Sequence, residues 1–205
     1  MSHRLVTNGD ILEFIEAGGY NDFRFWLDDG WNACVTENWQ GPLYWRYYDG
    51  QWFEITVNGL QPINKSEPVS HVSFFEADAY ARWNEARLPT EAEWEVASQD
   101  VVESPGNFLE HGRMHPQATD STQLTQMLGD VWEHTLSAYL PYPGYQPLSG
   151  ALGEYNGKFM NGQRVLRGGC AVTPARHIRN TYRNFFYPQK RWPMTGFRLA
   201  RSLTG

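Results

Sequence analysis

From Asp100 to Tyr155 the chain carries neither the 3.6-residue period of an amphipathic helix nor the alternation of a half-buried strand. A structureless loop of that length does not belong in a compact domain, so the segment must be packed and functional or hold short strands. The rest of the chain agrees with an irregular fold. Aromatic residues make up 15%, and 19 Gly and 12 Pro are spread among them, so large rings are expected to pin many loops. A chain of 205 residues suits one domain, 1–205, and can bury a core without staples.

Charge and cysteine content narrow the function classes. The net charge of −6 argues against nucleic acid, although arginines gathered between Arg164 and Arg201 leave room for a local anion site. No apolar run approaches the roughly 20 residues that span a bilayer, and MSHRLVTNGD has no apolar leader core. Two cysteines, Cys34 and Cys170, exclude a disulfide framework. A cytoplasmic protein with no membrane partner is the expectation.

Local signals place the elements. A first helix is expected over Gly9 to Ala17, capped by Asn8 and ended by Gly18-Gly19. Leu43 to Tyr48 and Gln51 to Ile55, separated by Asp49-Gly50, predict a hairpin with a two-residue turn. Ser73 with Glu76, and Thr90 with Glu93, are capping boxes that open two further helices. Strands are expected at Arg164–Arg167, about Thr181–Phe186, and Gly196–Arg201.

Four motifs then follow in order: RLPTEAEWE from Arg87, LGDVWE from Leu128, VLRGG from Val165 and GFRLAR from Gly196. Together they resemble the ordered signature of the formylglycine-generating-enzyme superfamily. The resemblance implies an α+β, loop-rich variant of the C-type lectin fold. The strings from Leu140 to Tyr145, Gly153 to Met160 and Thr181 to Phe186 are similar to the C-terminal domain of ergothioneine-type sulfoxide synthases. Those enzymes use iron(II) and oxygen to join a thiol, such as cysteine or gamma-glutamylcysteine, to hercynine. Their iron rides on an N-terminal helical domain of the DinB type. The resemblance implies that this domain, and an opening strand, lie outside these residues, so the chain alone is expected to hold no iron and to need a helical iron-binding partner.

The resemblance also points to the segment after Asn184 as the substrate-facing wall. It implies Phe185 and Phe186 as ring faces for a trimethylammonium group, Lys190 or Arg191 as the cation for a carboxylate, and Tyr187 as a polar-tipped neighbour. The spacing His111-Gly-Arg-Met-His115 would suit two metal ligands on a helix, but Gly112 and Pro116 oppose a helix and Gln117 stands where the family's iron motif has an acid. These two are therefore read as ordinary loop histidines. His134 stands where the family usually has Trp, and Cys170 where it often has Ser. The copper-binding thiol pair of true formylglycine-generating enzymes is missing. A non-catalytic lectin-like ligand-binding module is the alternative reading, because the same fold presents variable loops for recognition.

Overall fold

A computed structural model describes residues 1–99 and 106–202. It opens with helix α1, Asn8–Glu16. Its cap is Thr7 and not Asn8: the Thr7 hydroxyl accepts from Asp10 N–H, and the Asp10 carboxylate accepts from Thr7 N–H at 2.8 Å. Arg4 braces the same carboxylate with two hydrogen bonds. Ile11, Leu12 and Phe14 form the buried face. A second helix, α2, spans Asp28–Thr36, which none of the local sequence signals placed. It has no side-chain cap. Asp28 and Asp29 in its first turn face the positive end of the helix dipole.

The hairpin forms as expected. β1 (Trp45–Tyr48) pairs with β2 (Gln51–Thr56) in a register that sets Tyr48 opposite Gln51. Asp49 and Gly50 both take positive φ, 48° and 81°, which is what a type I′ turn requires. β3 (Gly59–Pro62) adds a third antiparallel strand. Both further capping boxes are present, on α3 (Phe74–Trp83) and α4 (Glu91–Ser98). α3 is buried along most of its length, and the only charges within it, Glu76, Asp78 and Arg82, are all in ion pairs.

The long aperiodic stretch holds β4 (Trp132–Ala138), the spine of a four-stranded sheet. Its order is β6 (Asn184–Phe186), β5 (Arg164–Arg167), β4, then β7 (Thr195–Gly196), with β4 and β7 parallel. A bulge between His134 and Ala138 bends β4 against β5 and explains why strand alternation cannot be read there. A short helix, α5, covers Gly153–Asn156. β6 and β7 are shorter than expected. After Gly196 the chain leaves the sheet, and Phe197 and Arg198 are fully buried. Gly168 and Gly169 after β5 both have positive φ, and a Cβ on Gly168 would lie 2.6 Å from the Met127 carbonyl oxygen.

The main core gathers α1, α2 and α3 around Phe14, Tyr20, Trp26, Tyr80 and Phe197. A smaller cluster of Trp132, Leu166 and Cys170 underlies β6. Buried ion pairs stitch the layers: Glu133–Arg198 at 2.6 Å and Glu76–Arg191 at 2.8 Å. Among the described residues no helix is long and apolar enough to cross a membrane.

Candidate functional site

A cavity of about 650 Å³ opens beside β6. Its walls come from three stretches remote in sequence. Phe185 of β6 stacks on Tyr139, just past β4, with centroids 4.1 Å apart and planes 13° from parallel. Phe159 adjoins Phe185 at 5.7 Å. The Arg183 guanidinium lies over the rings of Tyr139 and Tyr142, at 4.7 and 4.3 Å. Arg179 stands 5.4 Å from the Tyr182 ring, and the Tyr182 hydroxyl meets His177 Nε2 at 2.9 Å.

Arg183 is held from below by α4. Its Nε and Nη2 donate to the two oxygens of Glu91, each at 2.9 Å. Arg167, fully buried, donates to the same Glu91 at 3.3 Å and to Glu95 at 2.6 Å. Bidentate pairing of this kind fixes the plane of the guanidinium as well as its place. The Tyr139 hydroxyl donates to Asn156 Oδ1 at 3.2 Å. Burial pushes the Tyr139 and Tyr142 phenols above their ordinary range, Tyr142 helped by the charge on Glu91. Both therefore keep their protons near neutrality and act as donors. Half-exposed ring faces with protonated polar tips suit a cation with apolar bulk, such as a quaternary amine.

Of the wall residues expected from sequence, Phe185 and Phe186 line this cavity. Phe186 also meets Trp192 edge-on at 5.3 Å. Tyr187 is exposed, as is Lys190. Arg191 is placed elsewhere: its Nε and Nη2 donate to Glu76 at 3.0 and 2.8 Å, it reaches the Gly41 carbonyl, and it lies 4.3 Å over Trp39. The turn closed by Lys190 N–H on the Tyr187 carbonyl sends the two neighbouring cations to different surroundings. No sequence signal gave a site role to Tyr139, Tyr142 or Phe159, although Tyr142 and Phe159 lie in the family-like strings; Arg183 lies both in such a string and in the arginine group open to an anion.

The donors around the cavity do not fit iron, which needs about three nitrogen or oxygen ligands with open positions. The lining offers phenols, guanidiniums, the Asn156 and Asn184 amides, the Thr181 hydroxyl and the Met160 thioether, but no imidazole or carboxylate, and nearby Glu91 is already taken by two arginines. His111 and His115 go to different partners. His111 Nδ1 accepts from Phe108 N–H at 3.2 Å, while His115 Nε2 lies 3.2 Å from Glu67. Cys170 is buried against the Thr173 hydroxyl at 3.2 Å, and burial pushes its thiol up, away from thiolate reactivity. Trp94 and Trp132 are both buried. His134 is enclosed completely, donates Nε2–H to the Val72 carbonyl at 3.0 Å, and is lowered by burial to about 4.

Known proteins resemble the chain along nearly its whole length. The family described as the sulfatase-modifying factor enzyme 1-like domain matches residues 1–119 and 115–203. Hercynine oxygenase of Mycobacterium tuberculosis is 36% identical over 219 residues, covering 95% of this chain and 50% of that protein. The hercynine oxygenase of Mycolicibacterium smegmatis is 35% identical over 222 residues, covering 95% and 51%. The chain thus spans about half the length of these curated relatives. Among solved structures, PvdO from Pseudomonas aeruginosa superposes with a TM-score of 0.55 at 19% identity, covering 85% of this chain and 77% of that one, which is a likeness of fold alone. With its four ordered motifs, two sheets and capped helices, the chain belongs to the sulfatase-modifying factor enzyme 1-like family.

Proposed function

We propose that this chain is the substrate-covering half of a hercynine oxygenase, the part that binds hercynine beneath a separate iron-bearing helical domain. The observation that carries the reading is the ring-lined cavity beside β6, in a chain 36% identical to a hercynine oxygenase over 95% of its length. Hercynine is a zwitterion with a trimethylammonium and a carboxylate. The faces of Phe159, Phe185 and Phe186 receive the ammonium, and Arg179 on the cavity wall, or the exposed Lys190 outside it, meets the carboxylate. Arg183 is committed to Glu91 and sets the tilt of the tyrosines. The chain's own part is to bind, orient and shield the substrate. The iron-dependent oxygen chemistry belongs to ligands the cavity does not supply.

Calorimetry with hercynine tests this, with saccharides as the competing ligand class. Hercynine binding is expected, and it should weaken when Phe185 is replaced. Saccharide affinity with none for hercynine overturns the reading in favour of a lectin-like recognition module. Incubated alone with iron(II), oxygen, hercynine and a thiol, the chain is expected to form no sulfoxide. Adding a separately produced helical iron domain is expected to restore it.

A further inference from the structure

A second cluster, away from the aromatic cavity, joins residues that no sequence motif links. Glu54 lies on β2, Glu67 at the turn before Pro68, and His115 in the segment after residue 106. His115 Nε2 stands 3.3 Å from Glu54 Oε1 and 3.2 Å from Glu67 Oε2, and one ligand atom from each residue falls within 4.8 Å of the others. Zinc holds nitrogen and oxygen ligands at about 2.0–2.1 Å, and the edge of such a tetrahedron is about 3.3 Å. The two His115–carboxylate separations match that edge, and the carboxylate pair lies within 4.8 Å.

The three residues are held before any ion arrives. Glu54 is fixed by strand pairing on both sides, opposite Trp45 and Gln61. The Glu67 carbonyl accepts from Asn8 N–H at 2.8 Å, and the Thr7–Pro68 bridge follows at once. The His115 carbonyl accepts from Asn107 at 2.8 Å and from Gln117 at 3.2 Å. The side chains are mostly enclosed, at 8%, 17% and 20% exposure for Glu54, Glu67 and His115. Without a metal the two carboxylates hold a proton on His115, so a divalent cation would take that proton's place between the imidazole and the carboxylates.

The cluster opens on a small cavity of about 310 Å³, which His71 also lines. His71 Nδ1 is 3.1 Å from the Trp192 carbonyl, an acceptor only, so Nδ1 carries the hydrogen and Nε2 the lone pair. A backbone carbonyl on the far nitrogen is the usual support of a metal-ligating imidazole. His71 and Met114, the residue beside His115, both hold left-handed backbone, at φ 60° and 52°, a strained state for a residue with a Cβ.

We propose that Glu54, Glu67 and His115 form a divalent-cation site of the zinc type, with its open position towards the His71 cavity, clipping the segment around His115 to the β1–β3 sheet. The test uses the full chain, stripped with EDTA and titrated with zinc(II) chloride by calorimetry and thermal unfolding. Saturable one-to-one binding and a raised Tm are expected. Glu54→Gln and Glu67→Gln keep the shape but remove a ligand charge, and each should lower zinc affinity by roughly 100-fold, the upper end of the effect of losing an outer-shell partner. Should Glu54→Gln fail to fold, Glu67→Gln decides the matter. Cobalt(II) gives a second readout: a visible spectrum changed by the wild-type chain and not by Glu67→Gln supports the site. No saturable zinc binding, or wild-type affinity in the Gln variants, overturns it and leaves the three residues as an internal ion cluster. Hercynine binding enters none of these measurements.

Discussion

Phe14 and Phe185 both sit in aromatic company, yet only one has a face to offer. Phe14 is 1% exposed and touches Tyr20, Phe25, Tyr80 and Trp83 at 5.5–6.3 Å. The polar tips of Tyr20, Trp26 and Tyr80 in this core find internal partners: Tyr20 donates to Glu76, Trp26 to the Gly19 carbonyl, and Asn84 donates to the Tyr80 hydroxyl. Phe185 stacks on one side against Tyr139 and is only half-buried. The cations differ in the same way. Arg191 over Trp39 is sealed in by Glu76, whereas Arg183 over Tyr139 and Tyr142 sits at a cavity wall. The same residue types thus make a core in one place and an open cavity wall in another. The difference lies in whether the chain itself covers the second face of each ring.

Four measurements can break or sharpen that contrast. Glu76→Ala leaves the Arg191 guanidinium buried without its counterion, so a loss of about 3–5 kcal/mol is expected in urea unfolding. A loss under about 1 kcal/mol would mean the interior pair is as open as the cavity wall. Next comes acid. Unfolded, His134 takes a proton near its ordinary value of 6.5, but folded only near about 4. Between those values the unfolded chain binds more protons, so stability falls as pH drops, by about 3 kcal/mol in all. His134→Phe should flatten this part of the unfolding-against-pH curve; the Val72 carbonyl keeps its bond from the Thr195 hydroxyl at 2.6 Å. Phe185→Leu is expected to lower hercynine affinity about tenfold in calorimetry while costing roughly 1 kcal/mol of stability. Lys190→Ala, at an exposed position, should change stability by less than about 0.5 kcal/mol, with hercynine affinity falling less than about fivefold.

Sequence signals served best where the determinants are local. Ser73 with Glu76 and Thr90 with Glu93 cap their helices within four residues, and Asp49-Gly50 closes its own turn. Thr7 escaped because Asn8 beside it is an equally good cap by type, and its partner is Asp10 instead of the usual Glu or Gln. α2 escaped because Leu27 caps it with no side-chain bond. The site was legible only along one wall. Phe185 and Phe186 follow from position in a string, but Tyr139, Phe159 and Arg183 reach the cavity only through sheet order and the Glu91 contact. Glu54, Glu67 and His115 share no motif, since strand pairing and loop packing bring them together. Nothing local separates Lys190 from Arg191; their fates depend on where Glu76 lies after folding.

Glu91 sets a boundary for anyone who would retrain this scaffold on another ligand. The surface segments bearing Tyr142, Tyr155 and Phe159 can be exchanged like the bits of a drill. Glu91 is the chuck. It grips Arg183 and Arg167 together from the first turn of α4, inside the string by which the family is recognised. A library that randomised this carboxylate would lose the orientation of its own cavity wall before any selection began.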